Sequence, residues 1–484
     1  SGSSQGYLQW NKTKRNCFKI FSSYESKKYN FFATFRINKF SYFENGGIVN
    51  DSLIFDENYV DQGDLPVNLS GQGTPPHEKA NVINSFKIIS TNFNQNFSIL
   101  NLKDSLKTLN ISIFNSIELE FNKRNFVDIS PLIGIEKNFI SNLFFNKKST
   151  IDSLSHNYLS ITNGILFNKN NIKFLLSNFQ DFSHFYFFSK DESRNFQMKE
   201  KIPFFYSFNY SNNGIKSGIF LSYKRLKVYS SIKYTLYGYQ ANSSENLIGF
   251  EINLVNNNIQ VNFKINKTPP SILYQKYFSN NFIWDYKFNY EKTYNFSFFI
   301  KNPYLSIKLE NFILNNYTFF NKYLQPEQYS DNIVINSLTI KNYLKIGKLT
   351  LNNDIVLQKS SNNEIISLPL LILNHSLCFN QPIKFNFTGG LLETSTGYEL
   401  KYYSSFYAQK YSPYLSTFYQ QTDKKIGDYP LFNVFLQIKL KRVRFFIKYE
   451  HVNYKLLNKE YFAGIGYPLM ERTLKYGISW HFYD

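Results

Sequence analysis

Leu474-Lys475-Tyr476-Gly477-Ile478-Ser479-Trp480-His481-Phe482-Tyr483-Asp484 closes the chain and decides its fold. Leu474, Tyr476, Ile478, Trp480 and Phe482 alternate with Lys475, Gly477, Ser479, His481 and Tyr483. A strand has a side-chain period of two, so one face here is apolar and aromatic and the other polar or small. A strand greasy on one side and wet on the other suits the wall of a transmembrane barrel: apolar groups toward lipid, polar groups toward an aqueous lumen.

The same pattern recurs upstream. Ile259, Val261, Phe263 and Ile265 alternate with Gln260, Asn262 and Lys264; Leu305, Ile307 and Leu309 with Ser306, Lys308 and Glu310. Phe282, Trp284, Tyr286, Phe288 and Tyr290 against Asp285, Lys287 and Asn289 read as a further strand. Near the C-terminus, Phe432 to Leu440 and Val443 to Glu450 alternate in a register that a two-residue turn at Lys441-Arg442 keeps consistent. These repeats predict an all-β, antiparallel up-and-down barrel occupying residues 1–484 as a single domain. At about ten residues per membrane strand and about 45 to 55 per hairpin with its loops, the length supplies about 18 strands, within roughly 16 to 20.

Short links at 255–258, 291–293 and 441–442 are expected at the periplasmic end, and polar stretches 189–201, 324–330, 409–412 and 422–429 as extracellular loops. Residues 40–79 break the alternation with Gly46, Gly47, Gly63, Pro66, Gly71, Gly73, Pro75 and Pro76, and read as a long irregular loop or lumen-facing insertion. Pro131 to Lys147 is read as irregular strand, with an amphipathic helix as the alternative.

Composition narrows the class. Hydrophobic residues are 43% of 484, mean hydropathy is −0.35, and no run of eighteen apolar residues occurs, which excludes a helical membrane protein but not a barrel. The 51 Phe and 38 Tyr, and a Lys-rich basic set holding only eight Arg, fit an AT-biased genome, which does not by itself explain why the aromatics alternate. A net charge of +19 would suggest nucleic acid for a soluble chain, but the basic residues are dispersed rather than clustered, so no nucleic-acid partner is expected. Cys17 and Cys378 form neither a disulfide framework nor a metal motif. Ser1-Gly2-Ser3-Ser4 carries neither an initiator Met nor an apolar signal core, as expected of a mature form or of a fragment lacking an upstream part.

No phosphate-binding glycine loop, nucleophile elbow or Cys/His cluster is present, so no enzyme and no cofactor are expected. Of the six His, only His451 and His481 are read as strand-borne candidates. The expected chemistry is electrostatic: Lys264, Lys287, Lys308, Lys439, Arg444, Lys448 and Lys475 line the pore with Asp285, Glu310 and Glu450 as opposing charges, and favour anionic solutes. The plainer alternative is that they pair across strands and keep the lumen wet. Trp284, Tyr286, Tyr290, Tyr449 and Trp480 are expected in the interfacial aromatic girdles.

Two stretches carry a family resemblance: Tyr476 to Asp484, and Asn45-Gly46-Gly47-Ile48 followed by Leu65-Pro66-Val67-Asn68-Leu69. They resemble the Putative porin family of Bacteroidetes outer membranes, with Asp484 standing where barrels usually end on an aromatic residue. The resemblance spans nearly the whole chain. It implies an outer-membrane barrel forming a passive pore, with outer-membrane lipid and small hydrophilic solutes as partners, and it carries no catalytic residues. A homo-oligomer or partner outer-membrane proteins are compatible with it. Three rivals stand beside it: a non-conducting barrel serving as an assembly or interaction partner, a soluble β-protein, and an active transporter, which is not expected because strands read from about Asn16 leave no room for the plug it needs.

Overall fold

A computed structural model describes residues 2–59, 61–69, 71–72, 79–103, 108–129, 143–146, 149–190, 205–385, 390–457 and 459–480. Its frame is one antiparallel sheet of 20 strands, at the upper bound of the expected range. The first ten are β1 (Gly2–Gln5), β2 (Lys12–Glu25), β3 (Tyr29–Glu44), β4 (Val82–Lys103), β5 (Thr108–Asp128), β6 (Thr150–Lys169), β7 (Ile172–Ser189), β8 (Phe205–Tyr223), β9 (Leu226–Gly238) and β10 (Ser244–Asn253). The rest are β11 (Asn258–Thr268), β12 (Glu291–Lys301), β13 (Leu305–Asn315), β14 (Ile333–Ile346), β15 (Leu349–Ser360), β16 (Leu371–Phe385), β17 (Gly390–Tyr403), β18 (Leu431–Leu440), β19 (Val443–Glu450) and β20 (Thr473–Trp480). Each pairs with its sequence neighbours, an up-and-down order throughout.

The links alternate in length. Those leaving even-numbered strands up to β18 have two to four residues, and four of them, at Asn170, Lys224, Gly347 and Lys441, begin with a residue at positive φ, as primed hairpin turns require. The Lys441-Arg442 turn pairs Leu440 with Val443 as the sequence predicts. Links at the opposite end run from five residues, 239–243, to the long segment 45–81. One end of the sheet is therefore trimmed and the other carries the loops, which we call the mouth. Segments 324–330, 409–412 and 422–429 all lie in the mouth, and 255–258 is a short-end turn, as expected.

Residues 291–293 are a correction: they open β12 rather than form a turn. The reason lies just before them. The alternating run from Phe282 is no membrane strand; Ile283–Asp285 pairs with Lys276–Phe278 in a short hairpin inside the mouth. Phe40 to Glu44 complete β3, and the irregular segment begins at Asn45, with single 3-10 turns at Asp51–Phe55 and Gln62–Asp64. Most of 131–147 and of 189–201 lies outside the described residues.

The two faces differ in kind. Ile113, Phe121, Ile165, Leu176, Phe182, Ile248, Phe250, Phe263, Phe296, Leu309, Leu357, Leu436 and Ile447 project from the outer face. The inner face carries Asn, Ser, Thr and charged residues with scattered aromatics such as Phe299, Phe435 and Phe446, and becomes densely aromatic near the mouth, where Phe126, Phe185 and Phe187 are buried under the loops.

The two ends of the sheet meet at the mouth. Ile48 N donates to the Gly466 carbonyl (2.8 Å), and Gln62 donates to the Leu469 carbonyl and Glu471 carboxylate (2.9 Å each). Gly47 at φ +79° allows this approach, since a Cβ there would stand 2.6 Å from the Gly466 oxygen. Below that contact no ladder joins β20 to β1 or β2 among the described residues. Exposure on the outer face registers the difference: 79% at Tyr476 and 67% at Ile478, against 36% at Leu436 and 48% at Ile447, which have strands on both sides.

The lumen wall and the loop-built mouth

The strand register puts the predicted basic residues on the inner face. Lys439 lies opposite Arg444, and Lys448 opposite Lys475, while Leu440 and Val443 pair on the outer face. Because the period is two, acids on neighbouring strands fall on the same rows. Lys439 pairs with Glu393 (2.9 Å), Lys448 with Glu399 (2.8 Å) and Glu450 (3.4 Å), Lys475 with Glu450 (2.7 Å) and Lys308 with Glu310 (2.8 Å). The wall extends these rows with Lys227–Glu251 (2.8 Å), Lys233–Glu245 (3.3 Å) and Lys341–Asp354 (3.4 Å). Lys264 and Arg444 share the face and have no acidic partner among the described residues. Lys287 lies outside the sheet strands, in the mouth segment leading to β12. Half-exposed pairs of this kind each contribute about 0.2–1 kcal/mol, so their main effect is on the field in the lumen rather than on stability.

Of the aromatic residues expected in the girdles, Tyr449 and Trp480 are on the outer face, toward opposite ends of the β19/β20 pair. Trp284 is a correction. It is 5% exposed, stacked on Tyr277 at 4.9 Å between centroids, and donates Nε1–H to the Leu273 carbonyl (3.0 Å). Alternation in this segment serves a hairpin with apolar partners in the mouth, a pattern that matches a membrane strand residue for residue. Tyr290 donates its hydroxyl to the Ala241 carbonyl (2.6 Å), and Tyr286 precedes it in the same mouth segment, so both are mouth residues.

Arg124 of β5 gathers the mouth. It faces inward one turn of the pleat below Phe126, and its guanidinium donates to Asn84 Oδ1 (2.8 and 3.0 Å), the Tyr277 hydroxyl (3.0 Å), and the carbonyls of Pro413 (3.1 Å) and Tyr414 (2.6 Å). Asn84 in turn donates to Pro413 O (2.8 Å) and to Glu44 (3.1 Å), which also accepts from Tyr411 (2.9 Å). The loop after β17 thus crosses to β5, on the far side of the strand order, and the loop after β11 joins it there. Five donors in a rigid fork suit a residue that must satisfy several acceptors at once. Asp152 does the same at a smaller scale, accepting from the Asn280 backbone N–H (3.1 Å).

A second knot is built on His451, which the sequence places on the β19 face with Tyr449. The residue instead leaves the strand at φ +54° and is 2% exposed. Its Nε2 meets the Tyr429 hydroxyl (2.7 Å), its Nδ1 the Met470 carbonyl (2.5 Å), and its backbone N–H the Asn433 side chain (3.0 Å). Tyr454 and Tyr461 pack edge-on to the ring. Burial pushes the imidazole below its ordinary range, with Arg472 acting the same way and the Met470 carbonyl opposing. His481 lies outside the described residues.

Arg124, Asn84, Glu44 and Tyr414 were not singled out by the sequence. The usable signal was Arg124 itself, one of eight Arg in a chain that otherwise uses Lys. Among the described residues no group of three or more His, Cys, Asp or Glu is placed to hold a metal.

Comparison with solved structures finds the same architecture at low identity. The ferric preacinetobactin receptor BauA of Acinetobacter baumannii matches with a TM-score of 0.57 and 11% identity over 99% of this chain and 74% of that one. The ferric enterobactin receptor PfeA of Pseudomonas aeruginosa matches at 0.54 and 10%, over 97% and 78%. The copper transporter OprC matches at 0.63 and 10%, over 98% and 73%. At such identities the likeness is one of fold. No curated protein matches the sequence. The family model described as Putative porin matches residues 2–484, and the chain therefore belongs to that family of bacterial outer-membrane proteins.

Proposed function

We propose that this protein is a passive diffusion channel for small hydrophilic solutes across the outer membrane. The observation that carries the reading is the division of the hairpin 431–450: Leu436, Ile438, Val443 and Ile447 on one face, Lys439, Arg444 and Lys448 on the other. An apolar exterior backed by charge-paired rows on the inner face suits a water-filled lumen. Pairing reduces the basis for anion preference to inner-face cations without acidic partners among the described residues, including Lys19, Arg36, Lys264, Lys401 and Arg444. The loops knotted at Arg124 and His451 narrow the mouth and set the size limit. Proteoliposome swelling in sugars of graded mass tests this: swelling that falls off with solute size supports the channel, and none for even the smallest sugar opposes it.

Closure belongs to the same proposal. β2 and β20 both run from the mouth toward the short-turn end, so they are parallel to each other. A bilayer tolerates no unpaired strand edge. One strand between them, in line with β1 and antiparallel to both, satisfies both edges; β1 already holds that position against Lys12 to Arg15.

The second reading, a barrel that binds rather than conducts, is favoured by the extent of the mouth packing: two apolar clusters join loops from across the strand order.

A further inference from the structure

A cavity of about 850 Å³ lies under the mouth loops against β16, β17 and β18. Its wall is formed by the inner-face residues Ile372, Asn374, Lys401 and Leu431, and Phe406 and Phe418 come from the loop above. That volume is in the range of sites for drug-sized ligands, which are mostly apolar with a few convergent polar groups. Three of the four lining tyrosines add apolar surface rather than hydroxyls, because Tyr402 donates to Asp428 (3.0 Å), Tyr403 donates to the Phe462 carbonyl (2.5 Å) and Tyr429 meets His451 (2.7 Å); Tyr317 is the fourth.

Two polar heads stand at one edge of this cavity. Asn374 and Lys401 face each other in the ladder, and neither has a side-chain partner among the described residues. Both also line an adjoining recess of about 350 Å³ with Asp354, Glu399 and Lys448. The two acids there are engaged, Asp354 by Lys341 (3.4 Å) and Glu399 by Lys448 (2.8 Å). Lys401 is thus a cation on the boundary between an apolar cavity and a polar recess, in a wall where Lys341, Lys439 and Lys448 all have acids.

We propose that this cavity binds an amphipathic carboxylate: an organic acid with an apolar ring or short chain, its carboxylate on Lys401 and Asn374 and its body against Phe406, Phe418 and Leu431. A carboxylate accepts charge-assisted hydrogen bonds from the ammonium and the amide, and the apolar body loses water against the cavity wall. The site goes beyond diffusion, since it retains a solute at the mouth, and it does not depend on conduction.

The test is isothermal titration of the folded protein in nonionic detergent with 4-phenylbutyrate and with its neutral counterpart 4-phenylbutanol. The wild type is expected to bind the acid saturably at one site, about tenfold or more tighter than the alcohol, because a charge-assisted hydrogen bond is worth about 1.5–3 kcal/mol. Lys401→Met is expected to lose that tenfold advantage while binding the alcohol as the wild type does, which separates loss of the cation from loss of folding. Lys401→Arg is expected to keep acid binding. The proposal is overturned by an acid titration that does not saturate, by equal affinity for acid and alcohol, or by unchanged acid binding in Lys401→Met. Swelling assays on the same variants report the channel separately.

Discussion

The imidazole Nε2 of His451 accepts the Tyr429 hydroxyl at 2.7 Å while Nδ1–H points at the Met470 carbonyl, so one neutral ring ties the loop after β19 to the segment entering β18. The bond to a carbonyl fixes a proton on Nδ1, and in the neutral ring that burial favours Nε2 is then the acceptor for a hydroxyl that also lies 3.2 Å from the Asn453 carbonyl.

This arrangement predicts a pH dependence of the mouth. The ring's pKa is depressed in the folded state relative to the ordinary value of about 6.5. Its contribution is therefore complete above about pH 6.5 and is lost as pH falls from there toward the folded value, because the released loop takes up the proton first. Limited proteolysis of 451–472 is expected to be faster at pH 5 than at pH 7.5, and His451→Ala is expected to be fast at both. Equal rates in the wild type at the two pH values would contradict the assignment.

Arg124→Met is expected to free the loop after β17. Removing the guanidinium takes the donor from Asn84 Oδ1 and the Tyr414 carbonyl, while the Pro413 carbonyl keeps only Asn84 and the Ser416 N–H. The expected loss is about 3 kcal/mol in mouth stability, the scale for buried groups deprived of a charged partner. Hydrogen exchange in 404–430 reads it directly, and Arg124→Lys is expected to behave like Met, since one ammonium cannot span the fork's acceptors.

The strands were legible from sequence because a membrane imposes period two on every one of them, which is why Leu436 and Lys439 could be assigned to opposite faces. The mouth was not. Trp284 alternates with its neighbours as Trp480 does, yet one packs in a loop core and the other stands on the outer face; local pattern reports that a segment is half apolar, not what covers the apolar half. His451 was lost for a related reason: its positive φ turns the chain away one residue after the alternation ends. Glu310 and Glu450 are legible as opposing charges on the lysine face, but Glu393 and Glu399 are not, because cross-strand partners such as Glu393 and Lys439 lie 46 residues apart and meet only through register.

Closure through one intervening strand is testable by cross-linking. In a background with Cys17 and Cys378 replaced by Ser, Ile20→Cys is combined with Tyr476→Cys or Ile478→Cys. Two strand spacings separate the edges by about 10 Å. A bismaleimide of about that span is expected to join one pair in membranes, and oxidation is expected to join none. A spontaneous disulfide would mean that β2 and β20 pair directly.

Selectivity is expected to follow the cations without acidic partners. Lys264→Glu with Arg444→Glu should shift the reversal potential in a KCl gradient toward cations. Lys439→Gln should shift it less, because it removes a single positive charge where the two reversals remove two and add two negative ones, even though Glu393 then loses its partner.

The most direct test of a diffusion channel is single-channel recording of the purified protein in planar bilayers. Insertion is predicted to give discrete, ohmic conductance steps that enlarge in Arg124→Met as the mouth loops loosen. A protein that inserts, shows heat-modifiable barrel mobility and never conducts, in wild type or variant, would contradict the account.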